Sequence, residues 1–264
     1  MSSKSTILMV IQITSLVLSL AGTFSIANGQ KRIVGGNEVK SNEINYQASI
    51  WVFEEFICGG TIIGQKYILT AAHCLYGYNF EEPFDDIFVV TGAIKLNDTR
   101  NKQEVAEITL HNNYNHGSEN SYLNDIAIIT LREKINFDQT QAPALLPIAP
   151  VSKGLIGTIV GWGRDNYDKP HPTEVLKKAI LQVLTFNECQ PKMNLKVYDS
   201  QICGFARKDI GICKGDSGGP LMVNGTVVGI SSWAIPCATG VPDVFTNVFY
   251  YLDFIFDVIG NGEK

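Results

Sequence analysis

Short apolar runs separated by turn residues fill the chain from about residue 46 onward. Glycine, proline, asparagine and aspartate bound these runs, which is typical of β-strands joined by turns. The predicted strands are Ala48–Phe53, Gly60–Ile63, Ile87–Val90, Ile126–Leu131, Gly157–Gly161, Val175–Leu184, Pro220–Val223, Val227–Ser232 and Val244–Val248.

Two other segments divide this strand pattern. The proline-rich stretch 142–152 predicts a connector between two halves, because proline interrupts strands and stiffens linkers. Apolar residues recur at near-helical spacing only at the end, which predicts a C-terminal helix over about 248–260. The pattern favours an all-β fold of two antiparallel β-barrels, the first over about 33–140 and the second over about 150–247.

The first residues have a different character. Lys4 precedes an apolar stretch from about Ile7 to Leu20, and small residues follow up to Gly29. This order predicts a secretory signal peptide over 1–29, and hence a secreted, extracellular protein without membrane attachment. A membrane-anchoring helix is the alternative, but the apolar stretch is shorter than the roughly 20 residues that a span needs.

Net charge and cysteine content narrow the possible classes of protein further. Removal of residues 1–32 takes away Lys4, Lys31 and Arg32 and no acid, so the formal charge goes from −5 to −8. An acidic chain of this kind is a poor nucleic-acid binder. Six cysteines in a secreted chain predict disulfides but allow about fifteen pairings. A zinc site is the alternative, disfavoured because no two cysteines have the close spacing of a structural zinc site.

Candidate chemistry centres on Ser217, which is flanked by glycines and preceded by Asp216. A hydroxyl needs a base to become a nucleophile. Among the four histidines, His73 follows an apolar run and adjoins a cysteine, whereas the others lie in polar, loop-like surroundings. Asp125 leads into an apolar strand, where a partly buried acid requires a partner. These three residues form a candidate catalytic set.

The chain resembles the chymotrypsin/trypsin family of secreted serine endopeptidases, and its pocket is most similar to those of arthropod chymotrypsin-like or brachyurin proteases. Four motifs in the family's order carry this resemblance: Ile33-Val34-Gly35-Gly36, Thr70-Ala71-Ala72-His73-Cys74, Asp125-Ile126-Ala127 and Gly215-Asp216-Ser217-Gly218-Gly219-Pro220.

The resemblance implies a mechanism. His73 would take the proton of Ser217, Asp125 would orient the imidazole, and the N–H groups of Gly215 and Ser217 would receive the oxyanion. It also implies the disulfides Cys58–Cys74, Cys189–Cys203 and Cys213–Cys237.

The resemblance further implies a zymogen. Residues 30–32 form a short activation peptide, and a trypsin-like protease would cut after Arg32. The freed amino group of Ile33 would then pair with Asp216 and order the oxyanion hole and the specificity pocket.

Five positions are expected to shape that pocket. Gly211 stands at its base, where trypsins carry an aspartate, and Ser232 and Trp233 border the bound peptide. Ala234 narrows the wall slightly. Asp243 aligns with a wall position that is usually glycine, so we expect Leu, Phe and Tyr to be accepted and Arg and Lys to be accepted with its help. A plainly chymotrypsin-like pocket is the alternative, with Asp243 facing solvent.

Three weaker signals concern the surface. Lys214 lies at the expected pocket rim and would attract acidic substrate residues, although an exposed lysine is most often only a solvated charge. Asn97 and Asn224 match the glycosylation sequon. The loop that binds calcium in related trypsins carries Arg100 and Lys102 here. We therefore expect no calcium dependence, no metal and no cofactor.

The expected partners are protein or peptide substrates, the activating protease and protein protease inhibitors, and the expected state is a monomer. Two alternatives stay open. One is a catalytically inactive homologue that acts as a binding or cofactor protein. The other is a cascade protease, which would carry a recognition domain before Ile33.

Overall fold

The computed structural model describes residues 33–235 and 237–262. The predicted signal peptide and the activation peptide with Arg32 lie outside the described residues. Within them the chain is built almost entirely from antiparallel strands and contains two α-helices.

The first half closes into a barrel of six strands, paired in the order β2-β3-β4-β7-β6-β5. Its core is a continuous set of buried aliphatic side chains, including Ile50, Ile68 and Ile128. The strands are β2 (Gln47–Val52), β3 (Glu55–Ile62), β4 (Tyr67–Thr70), β5 (Ile87–Thr91), β6 (Lys102–Leu110) and β7 (Ala127–Leu131).

The second half forms a second closed set of six strands, because β11 pairs with β8 and β8 also pairs with β9. The short strand β1 (Asn37–Glu38) adds to the outer edge of β9. The strands are β8 (Ile156–Gly161), β9 (Lys177–Leu184), β10 (Gln201–Phe205), β11 (Pro220–Val223), β12 (Thr226–Trp233) and β13 (Asp243–Asn247). The predicted fold class, two antiparallel β-barrels, is confirmed.

Two α-helices complete the described chain. The short α1 (Phe186–Cys189) begins at a capping box formed by Thr185 and Glu188. The predicted C-terminal helix is present as α2 (Leu252–Gly262), preceded by a 3₁₀ turn over Val248–Tyr251. Ile255 of α2 is fully buried in the core of the first barrel, so the chain returns there after completing the second. No described helix combines the length and the apolar character that membrane spanning requires.

Four strands are missing from the predicted set: β1, β4, which is the apolar run before His73, β6 and β10. In β6 only Val105 is fully buried, so the segment resembles a polar loop in sequence. In β10, Gly204 breaks the apolar run. A Cβ at Gly204 would lie 2.9 Å from the Phe245 ring, so packing against β13 requires the glycine.

Three disulfide bonds are present, and they are the pairs that the family resemblance implies. They join Cys58 to Cys74, Cys189 to Cys203, and Cys213 to Cys237. The first ties β3 to the turn after β4. The third joins the segment before Ser217 to the segment after β12.

Close packing around Gly229 in β12 gives a test of the second barrel. A Cβ there would lie 2.9 Å from Phe245 Cβ and 3.3 Å from Leu221 Cβ. We expect Gly229→Ala to lower the free energy of unfolding by about 1–3 kcal/mol, as overpacking of a close-packed core does. Denaturant unfolding followed by tryptophan fluorescence measures the change.

Gly260→Ala is the matched control. Gly260 lies in α2, and a Cβ there would meet no other atom within 4 Å. The change should stabilise the protein by about 0.5–1 kcal/mol, because alanine is the better helix former. Equal effects of the two substitutions would contradict this account of the barrel.

Candidate active site

Asp125 lies just before β7 and is fully buried. Its Oδ1 accepts a hydrogen bond from the backbone N–H of His73 at 2.8 Å. Its Oδ2 lies 2.8 Å from His73 Nδ1 and accepts a bond from the Ser232 hydroxyl at 2.5 Å. These donors satisfy a charge that would otherwise be costly to bury.

His73 is positioned by the 3₁₀ turn Ala72–Cys74, which follows β4 and is anchored by the Cys58–Cys74 disulfide. With Nδ1–H directed at Asp125, Nε2 is left as the proton acceptor. Burial would by itself lower the pKa of His73. The charge of Asp125 and its hydrogen bond raise it, and the net pKa lies above its ordinary value.

Ser217 lies in the loop before β11, at the junction of the two barrels. Its carbonyl accepts a hydrogen bond from the N–H of Gly59 in β3, and the next residue, Gly218, donates to Ser231 in β12. Gly218 has φ +73, and a Cβ there would lie 2.2 Å from Thr70 Oγ1. Only glycine fits position 218 in this turn. The turn places Ser217 beside His73, and these two residues line two recesses together.

The predicted oxyanion donors lie in the same turn. Gly215 has φ +97, a conformation that favours glycine. In the part of the chain that the structure describes, the N–H groups of Gly215 and Ser217 donate to no protein acceptor. Two unengaged amides beside the serine are what stabilisation of an oxyanion requires.

Asp216 is 2% exposed, and its carboxyl packs against Gly161 at the end of β8 in the second barrel. It accepts hydrogen bonds from the N–H groups of Gly163 at 2.8 Å and Cys213 at 2.9 Å. Desolvation raises the pKa of Asp216 to about 7, although these two bonds oppose the rise. Ile33 is fully buried in the core of this barrel, and the next residue, Val34, accepts a hydrogen bond from Gly211.

One recess of about 360 Å³ opens on the β12 side of Ser217. Ile212, Ser232, Trp233 and Ala234 line it, and the Cys213–Cys237 disulfide forms part of its wall. We call it the specificity recess. Its walls are mainly apolar, so it suits a medium or large apolar side chain.

Gly211 and Asp243 are not among the residues that line this recess; they lie directly behind Ile212. The Asp243 carboxyl is 3% exposed and accepts the Ile212 N–H at 2.8 Å. A Cβ at Gly211 would lie 2.5 Å from Asp243 Oδ2, so the acid at 243 requires the glycine at 211. Burial raises the pKa of Asp243 to about 8; the Ile212 bond lowers it, and the charge of Asp216 adds to the rise.

The rim contains residues that sequence analysis did not predict. Tyr122 and His116 line the specificity recess, and the Tyr122 ring lies 6.1 Å from the His73 ring. Both come from the polar loop before Asp125, where no periodic pattern marks them. Lys214 is exposed at the rim, with its ammonium 5.2 Å from the centre of the Tyr167 ring.

The other positions considered in the sequence are the two glycosylation sequons, the loop compared with a calcium site, and the cysteines and histidine that could bind a metal. Asn97 and Asn224 are exposed in turns. Arg100 donates two hydrogen bonds of 2.7 Å to Asp98, in the loop considered for calcium. Cys58, Cys74 and His73 place potential ligand atoms close together, but both sulfurs belong to one disulfide and offer no thiolate.

Two closed antiparallel barrels with a Ser–His–Asp constellation at their junction are the architecture of a double-barrel serine protease. The comparisons with known proteins agree. The family model described as Trypsin matches residues 33–255. The chain therefore belongs to the trypsin family, and it is a serine endopeptidase.

Individual relatives are similar over most of the chain. Chymotrypsin-2 of Vespa crabro is 37% identical over 84% of this chain and 98% of its own length. Brachyurin of Leptuca pugilator is 35% identical over 84% of this chain and 96% of its own. The solved structure of neuropsin, a serine protease expressed in the limbic system of mouse brain, superposes with a TM-score of 0.76 at 27% identity, over 85% of this chain and 98% of that one.

The Asp125–His73 contact predicts the effect of Asp125→Asn. The amide would remove the charge that raises the pKa of His73 and would favour the wrong tautomer, so kcat should fall by roughly 10³–10⁴-fold. The lower limb of the kcat/KM profile should move to lower pH. Hydrolysis of a peptide nitroanilide from pH 5 to 10 measures both effects.

Asp253→Asn, which changes an exposed acid at the start of α2, is the control and should leave both quantities unchanged. A loss below tenfold in Asp125→Asn, or an unmoved pH profile, would argue against this role of Asp125.

Proposed function

We propose that this endopeptidase is secreted as a zymogen, is activated by cleavage after Arg32, and accepts both large apolar and basic residues before the scissile bond. The observation that carries the specificity is the buried carboxyl of Asp243 behind Gly211 and Ile212. The similarity of the chain to a chymotrypsin and to a brachyurin supports the proposed specificity.

The catalytic sequence follows from the cleft. His73 Nε2 removes the proton of the Ser217 hydroxyl as its oxygen attacks the peptide carbonyl, and the N–H groups of Gly215 and Ser217 bind the oxyanion. His73 then protonates the leaving amine, and an acyl-enzyme remains on Ser217. A water molecule then attacks the acyl carbon while His73 takes its proton. The bond to Ser217 Oγ breaks, His73 returns the proton to the serine, and the acid product leaves. Asp125 orients the imidazole and stabilises the imidazolium.

The specificity recess treats the two classes of substrate differently. An apolar side chain packs against Ile212, Trp233 and Ala234 and gives the buried Asp243 no positive partner, so it favours the protonated carboxyl. An Arg or Lys side chain brings a positive charge to the wall that Ile212 forms in front of Asp243, and this charge favours the ionised carboxylate. The protonation state of Asp243 therefore sets the ratio between the two activities.

The pH dependence of this ratio tests the proposal. In the empty recess Asp243 is protonated below its pKa of about 8 and ionised above it. The ratio of kcat/KM for an Arg peptide to that for a matched Phe peptide should therefore rise as pH increases through this range. Titration of His73 affects both substrates alike and cancels in the ratio.

Asp243→Asn keeps an oxygen that can accept the Ile212 N–H but cannot ionise. In this variant the ratio of kcat/KM for the Arg peptide to that for the Phe peptide should be at least about tenfold lower than in the unmodified enzyme at high pH. It should also be independent of pH. If the unmodified enzyme cleaves only Leu, Phe and Tyr peptides at every pH, Asp243 plays no part in specificity. If the cut chain cleaves no peptide, the inactive-homologue alternative replaces the proposal.

Activation rests on the charge balance at Asp216. Both of its hydrogen-bond donors are neutral amides, and a buried carboxylate without a cation is costly by several kcal/mol. Cleavage after Arg32 would supply the ammonium group of Ile33, whose side chain is buried in the same barrel. The pair would fix the turn that carries Gly215 and Ser217.

Arg32→Gln should therefore be secreted but stay inactive after treatment with trypsin, whereas the unmodified chain should gain activity by at least about 100-fold. N-terminal sequencing should find Ile33 at the start of the active product alone. Activity of the uncut variant comparable to that of the cut enzyme would exclude zymogen control.

The same proposal includes a trypsin-like activator, protein inhibitors as partners, a monomeric state and glycosylation at Asn97 and Asn224.

A further inference from the structure

A second recess, of about 420 Å³, opens on the opposite side of Ser217 from the specificity recess. The two recesses share only His73 and Ser217 in their linings. A peptide whose carbonyl lies at Ser217, with its preceding side chain in the specificity recess, therefore directs its following residues into the second. We call this second space the leaving-side recess.

The walls of the leaving-side recess combine polar atoms with aromatic and aliphatic side chains. Ile57 and the Cys58–Cys74 disulfide lie next to the catalytic pair, and Tyr76 and Tyr78 lie beyond them on the loop after the 3₁₀ turn. Apart from His73, no lining residue carries an ionisable group that is charged near neutral pH. An acidic side chain would find no lysine or arginine partner there, whereas an apolar one would cover the surface of the tyrosine rings.

Both tyrosines are exposed yet held in place. Tyr76 is 51% exposed and stacks on His116 with ring centres 5.0 Å apart; Tyr78 is 40% exposed and stacks on Phe80 at 5.2 Å. Gly77, between them, has φ +87, which bends the loop so that each ring meets a different neighbour. Rings that are already ordered lose little conformational freedom when a ligand covers them.

The aromatic surface continues outward through Phe53. This residue stands at the turn between β2 and β3, is 63% exposed, and its ring lies 6.4 Å from that of Tyr78. Its backbone N–H donates to the carbonyl of Asp86 at 2.8 Å, so the turn is fixed against the neighbouring loop. Aromatic ring surface therefore extends from the recess beside the catalytic serine past the first residue after the scissile bond.

We infer that Tyr76 and Tyr78 are specificity-determining residues, and that the enzyme prefers substrates with a large aliphatic or aromatic side chain at the first or second position after the scissile bond. The inference rests on the proposed function, because it takes Ser217 as the point of cleavage. Substrates would then be selected twice, by the residue before the scissile bond and by the residues after it.

Internally quenched peptides test the inference. Leu is fixed before the scissile bond, and the first or second following residue is Phe, Leu, Ser, Asp or Arg. Each kcat/KM is divided by that for a Leu methyl ester, whose leaving group, methanol, is too small to cover the tyrosine rings of the leaving-side recess. At one or both of these positions, the divided kcat/KM of the peptide with Phe or Leu should exceed that of the peptide with Ser or Asp by roughly tenfold.

Variants assign the preference to the rings. Tyr78→Ala and Tyr76→Ala should each reduce it to below threefold, whereas Tyr78→Phe should retain it. Phe256→Ala, at an exposed aromatic residue of α2 outside the recess, is the matched control and should behave as the unmodified enzyme. Because Tyr76 also contacts His116 of the specificity recess, Tyr78 gives the cleaner assignment.

A second measurement reads the leaving side directly. The acyl-enzyme is partitioned between water and added amino-acid amides, which attack from the side that the leaving group vacates. Phe amide should capture the acyl group more efficiently than Ser amide, and Tyr78→Ala should abolish the difference.

A flat profile, a preference for Ser, Asp or Arg, or a preference that survives in both alanine variants would overturn the inference while leaving the proposed function intact. Failure of the unmodified cut enzyme to cleave the methyl ester would overturn both.

Discussion

The buried carboxylate of Asp125 joins the two barrels into one catalytic unit. It accepts hydrogen bonds from His73 on the side of the first barrel and from Ser232 on β12 of the second. Its backbone carbonyl also accepts a bond from Thr246 on β13. The buried carboxylate depends on the His73 and Ser232 donors, and the Thr246 bond holds the Asp125 backbone against the second barrel. The relative position of the barrels and the orientation of His73 are therefore set together. The geometry of the cleft follows from this single satisfied charge.

A second constraint links specificity to the oxyanion turn. The consecutive amides of Ile212 and Cys213 donate to different buried carboxylates, Asp243 and Asp216 respectively. One short stretch of backbone therefore forms the base of the specificity recess and leads directly into the turn that holds Ser217. The recess and the turn therefore share adjacent peptide units. Under the proposed zymogen control, an Asp216 carboxylate without a cation would disturb both of them.

The sequence predicts the fold class and the catalytic set because both leave local signals. Buried strands are short apolar runs, and the serine turn needs glycines at fixed positions, as the contact between Gly218 and Thr70 illustrates. Strands such as β6 escape prediction because most of their side chains are only partly buried. The three disulfide pairs follow from resemblance alone, since six cysteines leave the pairing open.

The residues around the catalytic centre are harder to predict. Tyr76, Tyr78, Tyr122 and His116 lie in loops without periodicity, and what brings them to the cleft is long-range packing of aromatic rings. Asp243 aligns with a pocket wall in sequence, but only the structure places its carboxyl behind Ile212, in the space that a side chain at Gly211 would occupy.

The most direct test of the account is covalent labelling of the protein with a fluorophosphonate, followed by mass spectrometry of the intact chain and of its peptides. The account predicts that the chain cut after Arg32 gains one phosphonyl group, on Ser217, and that the uncut chain reacts far more slowly. A folded, correctly cut chain that takes up no label, or takes it up on a residue other than Ser217, would contradict the claim that His73 and Asp125 activate this serine.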